Sequence, residues 1–222
     1  MIRPLALTLA LALIAACSSA PETEQTFSGY LHDYNKLKPD PEDASKLVWY
    51  AEDYSANNYA MIDVEPAKIW LSPKLSDKEV VPAEKQQAFA TYLVKSLKEA
   101  IPEHLRTAAA GNNTLIIKPA ITGFSTGSAD LAAYQYLPIG LIVVGAMEAT
   151  DSRDKVPVMF LEAEAIDKDS GKVVAQVVRR LSGKDIDPDL MTDNIVEAFY
   201  PQLDAWAKEL ADNLQKQVEN IK

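Results

Sequence analysis

The sequence VPVMFLEAEAIDKDSGKVVAQVVRR, residues 156–180, indicates the fold of this chain more clearly than any other stretch. Two runs rich in aliphatic residues, 156–165 and 172–180, flank the turn-forming sequence Asp-Lys-Asp-Ser-Gly at 167–171. Strand-forming runs on both sides of such a turn predict a β-hairpin.

Glu162 and Glu164 lie two positions apart in the first strand of this predicted hairpin, so both side chains lie on one face. We expect the hairpin to bring them near Gln176, Val178 or Arg180 of the second strand. If helices cover that face, the glutamates need partners such as Arg179 or Arg180 to offset their desolvation. If the face is open, they belong to an acidic binding surface. We favour a paired structural role.

Two helices are predicted, one on each side of the β region. Residues 82–101 carry apolar side chains at helical spacing, with lysines and glutamines opposite and a proline near each end. The second helix runs from about Asp189 to the C-terminus, with Asp187 as its N-cap. Pro201 falls inside it and is expected to kink or split it.

The remaining segments are less regular. Residues 114–124 predict a strand, in which Pro119 indicates an edge or a bulge. Residues 140–147 are apolar but fit a strand and a buried helix equally well. Aromatic residues and prolines are frequent in residues 27–70, which predicts an irregular wrap with one strand at 69–71. The fold class is therefore α+β: a small mixed or antiparallel sheet covered by two helices, with an irregular aromatic N-terminal wrap.

The N-terminus has the pattern of an export signal, with Arg3 before an apolar run and small residues before Cys17. Ala15, Ala16 and Cys17 resemble the bacterial lipobox, with Ile14 at the position where leucine is commonest. We expect residues 1–16 to be a lipoprotein signal peptide and Cys17 to be lipidated. Residues 17–26 then form a lipidated cysteine and flexible tether, and residues 27–222 a single periplasmic domain.

Charge and cysteine content narrow the choice of environment and partner. With 32 acidic and 22 basic residues, the net charge is −10, which argues against binding nucleic acid. Cys17 is the only cysteine, so neither a disulfide nor a thiolate metal site is available. Ser18, which follows the cysteine, favours the outer membrane over retention at the inner membrane in the sorting rule known for such lipoproteins. The expected location is the outer membrane, with the domain facing the periplasm.

Several short stretches together resemble a known family. They are Ser-Gly-Tyr-Leu-His-Asp-Tyr-Asn-Lys-Leu at 28–37, Tyr-Ala-Met-Ile-Asp-Val-Glu-Pro at 59–66, Leu-Glu-Ala-Glu-Ala-Ile-Asp at 161–167, Ser-Gly-Lys at 170–172 and Trp-Ala at 206–207. In these stretches the chain resembles a family of bacterial envelope lipoproteins of unknown function. The resemblance implies an anchored periplasmic domain and supplies no catalytic residue.

The sequence contains no motif that identifies an enzyme. Glycine-rich phosphate loops and H-E-x-x-H are missing, and the only histidines are His32 and His104. For His32 we expect packing or a hydrogen bond to the backbone rather than base catalysis, and for His104 a contact with carbonyls at a helix end. We therefore expect no enzymatic activity and no cofactor.

Two acidic clusters are candidates for metal sites. Asp167 and Asp169 lie in the predicted turn, where Gly171 is displaced by one position from a calcium loop. A second cluster surrounds Pro188 and consists of Asp185, Asp187 and Asp189. Turn formation and helix capping explain both clusters, so no metal is expected.

Two function hypotheses remain. In the first, the chain is a noncatalytic interaction or envelope-assembly module that contacts another envelope protein through its C-terminal helix or the exposed edge of the hairpin. In the second, Trp49, Tyr50 and Trp70 stack on peptidoglycan sugars or line a pocket for an apolar small molecule. The alternative interpretation of these three rings is that they pin the N-terminal segment to the core.

Overall fold

The computed structural model describes residues 27–55, 58–70, 83–106, 113–128, 155–182 and 195–219. The described strands are β1 (Lys38–Pro39), β2 (Lys46–Tyr50), β3 (Met61–Val64), β4 (Lys68–Ile69), β5 (Thr114–Ser128), β6 (Lys155–Asp167) and β7 (Val173–Ser182). The described helices are α1 (Ala83–Ala100), α2 (Glu103–Arg106), α3 (Ile195–Ala198) and α4 (Tyr200–Glu219). None of these helices combines the length and the apolar character needed to cross a membrane. The fold is mixed α+β.

The seven strands form one mixed sheet in the order β1-β2-β7-β6-β5-β3, with β4 also paired to β5. β3 and β4 run parallel to β5, and the other pairs are antiparallel. The sheet is larger than the small one expected, because residues 38–69 supply four strands where the sequence indicated one at 69–71. Strands of two to five residues between prolines and turns are too short to show a clear alternation of apolar and polar residues.

The predicted hairpin is confirmed and lies at the centre of the sheet. β6 pairs with β5 and β7, and β7 pairs with β6 and β2. Gly171 has φ +70° in the turn, a conformation that glycine adopts without a Cβ penalty. The expected exposed edge of the hairpin is therefore wrong, since both strands are paired on both sides.

Pro119 lies inside the sheet at a gap in the pairing. The carbonyls of Ile117 and Ile121 accept hydrogen bonds from Glu65 N and Trp70 N. Alternation places the backbone nitrogen of Pro119 toward the same side, between the end of β3 and the start of β4. Proline has no amide hydrogen to donate, so this interruption accommodates it. β5 is not an edge strand there, and the register shift against β6 falls later, between Ile121 and Gly123.

The main core joins α1, α4 and one face of the sheet. Its largest fully buried side chains include Phe89, Leu93, Leu97, Ile121, Leu161, Phe199 and Leu203. The helix predicted over 82–101 is confirmed with bounds Ala83–Ala100. The C-terminal helix is split at Phe199, two residues before Pro201, as the proline predicted. The predicted start of that helix, residues 140–147 and the cluster at 185–189 lie outside the described residues.

The opposite face of the sheet is covered by residues 27–37, which we call the N-terminal segment. Leu31 of this segment is buried against Leu47 of β2 and Val178 of β7. Partly buried side chains packed around them are Phe27, Tyr30, Tyr34 and Leu37. Side chains of α1 and α4 thus pack with one face of the sheet, and side chains of the N-terminal segment pack with the other.

An ion-pair cluster links the β1–β2 end of the sheet to α4. Its members are Asp40, Asp43, Lys46, Arg179 and Glu209. Lys46 Nζ lies 2.5 Å from Glu209 Oε1, and Arg179 Nη1 lies 2.7 Å from Glu209 Oε2. Burial opposes the positive charge of Lys46, but its bonds to Glu209 and Asp40 outweigh this and raise its pKa. Glu209 thus bridges two cations that are both largely buried.

Candidate functional site

Glu162 and Glu164 project from the centre of the sheet toward the N-terminal segment, and not toward the helices. The register pairs Glu162 with Val178 and Glu164 with Gln176, as predicted. Their exposed fractions are 0% and 3%. Two adjacent carboxylates in the interior of a domain need partners to offset desolvation, so the identity of those partners defines the site.

Glu162 is held by a tyrosine of the N-terminal segment. Tyr34 Oη donates a hydrogen bond of 2.6 Å to Glu162 Oε2. Burial raises the pKa of Glu162 above its ordinary value of 4.5, and the negative charge of Glu164 acts in the same direction, while the Tyr34 bond opposes the shift.

Glu164 binds two residues on different elements. The backbone N–H of His32 donates to Glu164 Oε1 at 2.8 Å, and His32 Nδ1 lies 2.7 Å from Glu164 Oε2. Gln176 Nε2 on β7 donates to Glu164 Oε1 at 2.8 Å. The His32 side chain is 73% exposed, so this pair joins the surface to the buried carboxylate. The sequence predicted a packed or backbone-bonded His32, and the carboxylate partner was missed.

Tyr34 organises the N-terminal segment as well as holding Glu162. Its hydroxyl accepts a bond from Leu31 N at 3.1 Å and lies 2.9 Å from Ser28 Oγ. Its ring stacks on Phe27, with ring centroids 4.1 Å apart. Burial, with the charge of Glu162, raises the pKa of Tyr34, so the phenol stays protonated and remains a donor.

Both carboxylates already bind groups of the N-terminal segment, and neither lies on an open acidic surface. Arg179, one of the partners considered for a face covered by helices, lies on the helix face and binds Asp43 and Glu209. We call Glu162, Glu164, His32 and Tyr34 the carboxylate latch, because they fasten the N-terminal segment to the sheet.

The raised pKa of Glu162 gives a pH prediction for Glu162→Gln. A folded-state pKa above the unfolded value means that this group favours the folded state fully below about pH 4.5 and loses that contribution as pH rises through the folded pKa. In the variant, the amide oxygen of the new glutamine still accepts from Tyr34 but the side chain does not ionise. We therefore expect the variant's free energy of unfolding, minus that of the wild type, to increase as pH rises above 4.5.

Urea denaturation between pH 4 and 8 measures this difference. The control is Glu99→Gln, since Glu99 is an exposed helix residue. For the control the difference is expected to stay flat. A flat difference for Glu162→Gln as well would contradict the prediction.

The three aromatic residues proposed as a ligand site do not come together. Trp49 lies on the face of the N-terminal segment, where Lys36 Nζ is 4.5 Å from its ring centroid. Trp70 Nε1 donates to the carbonyl of Ser28 at 3.0 Å. Tyr50 lies on the helix face and is 54% exposed. Both tryptophans therefore contact the N-terminal segment, and Tyr50 stands apart from them.

Tyr50 borders a cavity of about 90 Å³ between the sheet and the helices. The lining residues are Tyr50, Tyr54, Leu97, Ile117, Ala163, Glu164, Ala165, Ala175, Gln176, Val177, Trp206 and Leu210. Most of them are apolar. The second hypothesis placed Tyr50 in one site with Trp49 and Trp70, and the sequence gave no sign of Trp206 and the alanines as walls of a cavity beside Tyr50.

Both turn acids are hydrogen-bonded, Asp167 within the turn and Asp169 to the residue that precedes β5. Asp167 Oδ1 accepts bonds from the N–H and the hydroxyl of Ser170, both at 2.7 Å, which lowers the pKa of Asp167. Asp169 Oδ2 accepts from Asn113 N at 2.7 Å. Within the described part of the chain, no group of three or more histidine, cysteine, aspartate or glutamate residues is placed to hold a metal ion. His104 is exposed and lies in the short helix α2.

Comparison with known proteins identifies the family. The model of DUF3313, a family of proteins of unknown function, matches residues 26–210. The chain belongs to this family. It is similar to the uncharacterized lipoprotein YdcL of Escherichia coli K12, with 30% identity over 176 residues that cover 78% of each chain. The family and this relative support the resemblance drawn from the sequence, that of a bacterial lipoprotein of unknown function.

Weaker likenesses exist among solved structures. A PelC dodecamer from Paraburkholderia phytofirmans is 12% identical with a TM-score of 0.37, covering 78% of this chain and 94% of that chain. The protein XCC0632 from Xanthomonas campestris is 12% identical with a TM-score of 0.38, covering 83% and 93%. Overlap at this level carries no conclusion about the function of the DUF3313 chain.

Proposed function

We propose that this DUF3313 protein is a noncatalytic interaction module of the bacterial envelope, anchored in the outer membrane through lipidated Cys17 and facing the periplasm. The observation that carries the proposal is the carboxylate latch. Glu162 and Glu164 are a buried acid pair of the kind that enzymes use, yet both bind the N-terminal segment. Their role is to hold the start of the domain in place.

The carboxylate latch limits the distance between the domain and the membrane. The N-terminal segment begins at Phe27, directly after the tether of residues 17–26. Ten residues span at most about 35 Å when fully extended. Because the latch fixes the segment to the sheet, the domain cannot gain reach by unwinding it, and a lipid at Cys17 would keep the domain close to the bilayer.

The helix side is the surface that we assign to the partner, an envelope protein. The N-terminal segment covers the other face of the sheet, and the described edge strands are unsuited to strand addition. β1 has two residues, and the opposite edge is interrupted between β3 and β4. Short or broken edges resist pairing with another chain. Of the described elements, we assign the contact to α1 and α4.

Anchoring is tested by Cys17→Ala, compared with wild type by fractionation of the envelope. Wild-type protein is expected in the outer-membrane fraction and to incorporate labelled fatty acid. The variant is expected to incorporate none and to leave the outer-membrane fraction, because its thiol is gone. Equal recovery of both forms in that fraction would refute anchoring at Cys17.

The interaction is tested by in vivo crosslinking of the anchored protein followed by mass spectrometry. We expect one envelope protein at reproducible stoichiometry, with crosslinks to α1 or α4, and its loss in the Cys17→Ala control. Crosslinks only to the protein itself or to cell-wall fragments would overturn the proposal.

A further inference from the structure

We propose that the cavity beside Tyr50 binds the end of a single acyl chain. This inference goes beyond the interaction role, because it assigns a ligand site inside the domain. We call the site the acyl cavity and define it by Tyr50, Tyr54, Ala163, Ala175 and Trp206.

Small side chains at the centre of the sheet create the space. Ala163 and Ala165 occupy alternate positions of β6, and Ala175 of β7 pairs with Ala165. Trp206 of α4 forms the wall on the helix side. Protein interiors are packed to nearly crystalline density, so a run of alanines beneath two helices leaves room that side chains of ordinary size would fill.

The interior of the acyl cavity is suited to hydrocarbon. Glu164 and Gln176 belong to the lining, but Gln176 Nε2 donates to the Glu164 carboxylate, and that carboxylate is bonded to His32 on the far side of the sheet. The other lining residues are aliphatic or aromatic. A sugar would bury hydroxyl groups there without partners, which is unfavourable, whereas methylene groups need none.

The mouth of the cavity is suited to the polar end of such a ligand. Tyr50 is the exposed residue of the lining and stacks on Tyr54, with ring centroids 5.6 Å apart. Lys46 and Tyr50 project from the same face of β2, and Glu209 directly precedes the lining residue Leu210 in α4, so the ion-pair cluster lies on the same side of the sheet as the cavity. A carboxylate or headgroup can remain in water beside these charges while the chain enters.

The volume limits how much of the ligand enters. An apolar cavity of about 150 Å³ is known to accept benzene, so a cavity of about 90 Å³ accepts a few carbons of a flexible chain. Two sources can supply the same chemistry: a free fatty acid, or a phospholipid of the bilayer to which the tether would hold the domain.

Trp206 provides the measurement, because bromine on an acyl chain quenches the fluorescence of a tryptophan that it contacts. The background variant Trp49→Phe/Trp70→Phe leaves Trp206 as the single tryptophan. The mature lipidated chain is placed in phosphatidylcholine nanodiscs. In one arm 12-bromododecanoate is titrated, and in the other the fraction of phosphatidylcholine that carries bromine near its chain ends is raised stepwise.

We expect saturable loss of more than half of the Trp206 fluorescence in at least one arm, and the arm that responds identifies the source of the chain. Ala175→Leu fills the cavity and should weaken the apparent affinity at least tenfold. The matched control is Ala60→Leu, an exposed position, which should leave the affinity unchanged. Ala163→Val is a milder filling variant if Ala175→Leu does not fold.

Two results would refute binding of an acyl chain in this cavity. One is the absence of saturable quenching in both arms, and the other is an apparent affinity of Ala175→Leu and Ala163→Val equal to that of Ala60→Leu. Neither result bears on the crosslinking experiment, so loss of this inference and loss of the interaction role are distinguishable.

Discussion

Tyr34→Phe is expected to lower the free energy of unfolding by about 2 to 3 kcal/mol, because it removes a hydrogen bond to a buried charged group. The ring remains, so the stacking on Phe27 is kept and only the hydroxyl is lost. That hydroxyl donates to Glu162 at 2.6 Å and also accepts a hydrogen bond from Leu31 N. Without it, a fully buried carboxylate loses its donor, and the N-terminal segment loses the residue that orders it.

Denaturation in urea at pH 7 gives the size of the effect, and two comparisons test its cause. Tyr30→Phe removes a hydroxyl that donates to the backbone carbonyl of Lys118, and it should cost only about 1 kcal/mol. In a Glu162→Gln background, the cost of Tyr34→Phe should shrink, since the acceptor is no longer charged. A cost that is unchanged in that background would show that Tyr34 does not act through the charge of Glu162.

Glu209→Ala is expected to destabilise the protein by about 2 kcal/mol. Loss of one partner from a buried ion pair costs about 3 to 5 kcal/mol, because the remaining charge stays buried without compensation. We reduce this figure since the Glu209 side chain is 34% exposed and since Asp40 and Asp43 still face Lys46 and Arg179. The lost interactions are those that join α4 to β2 and β7, through Lys46 and Arg179.

The matched control for Glu209→Ala is Glu99→Ala. Glu99 forms a helix-surface pair with Lys95 at 4.0 Å, and both side chains are more than half exposed. Surface pairs of this kind contribute less than about 0.5 kcal/mol. Chemical denaturation of the two variants side by side should separate them clearly. Equal effects would mean that the ion-pair cluster behaves as ordinary surface charge.

Much of the architecture was predictable from local patterns. The hairpin, the register of Glu162 and Glu164, and the helix at Ala83–Ala100 all follow from periodicity and turn residues. The short strands between Lys38 and Ile69 were not predictable, because so few residues cannot show a repeating pattern of apolar and polar side chains. Such strands form only where a neighbouring strand of the sheet is available for pairing.

In the candidate site, too, local spacing was informative and the distant partners could not be predicted. The spacing of Glu162 and Glu164 indicated a shared face and a need for partners. The partners themselves lie 128 and 132 residues away along the chain, at Tyr34 and His32. One signal was available: both residues belong to an aromatic run that had to pack somewhere, and they are two positions apart, as the glutamates are.

The sequence by itself determined the central hairpin, the two long helices, the shared face of the glutamates and the resemblance to envelope lipoproteins. These features depend on residues that are neighbours in the chain, whose spacing sets the periodicity of each element. Only the tertiary structure decided which layer covers the glutamates, which residues satisfy them, and that Tyr50 borders a cavity remote from Trp49 and Trp70. Those outcomes depend on long-range packing, since the partner of a buried group is whichever distant segment the fold brings to that face of the sheet.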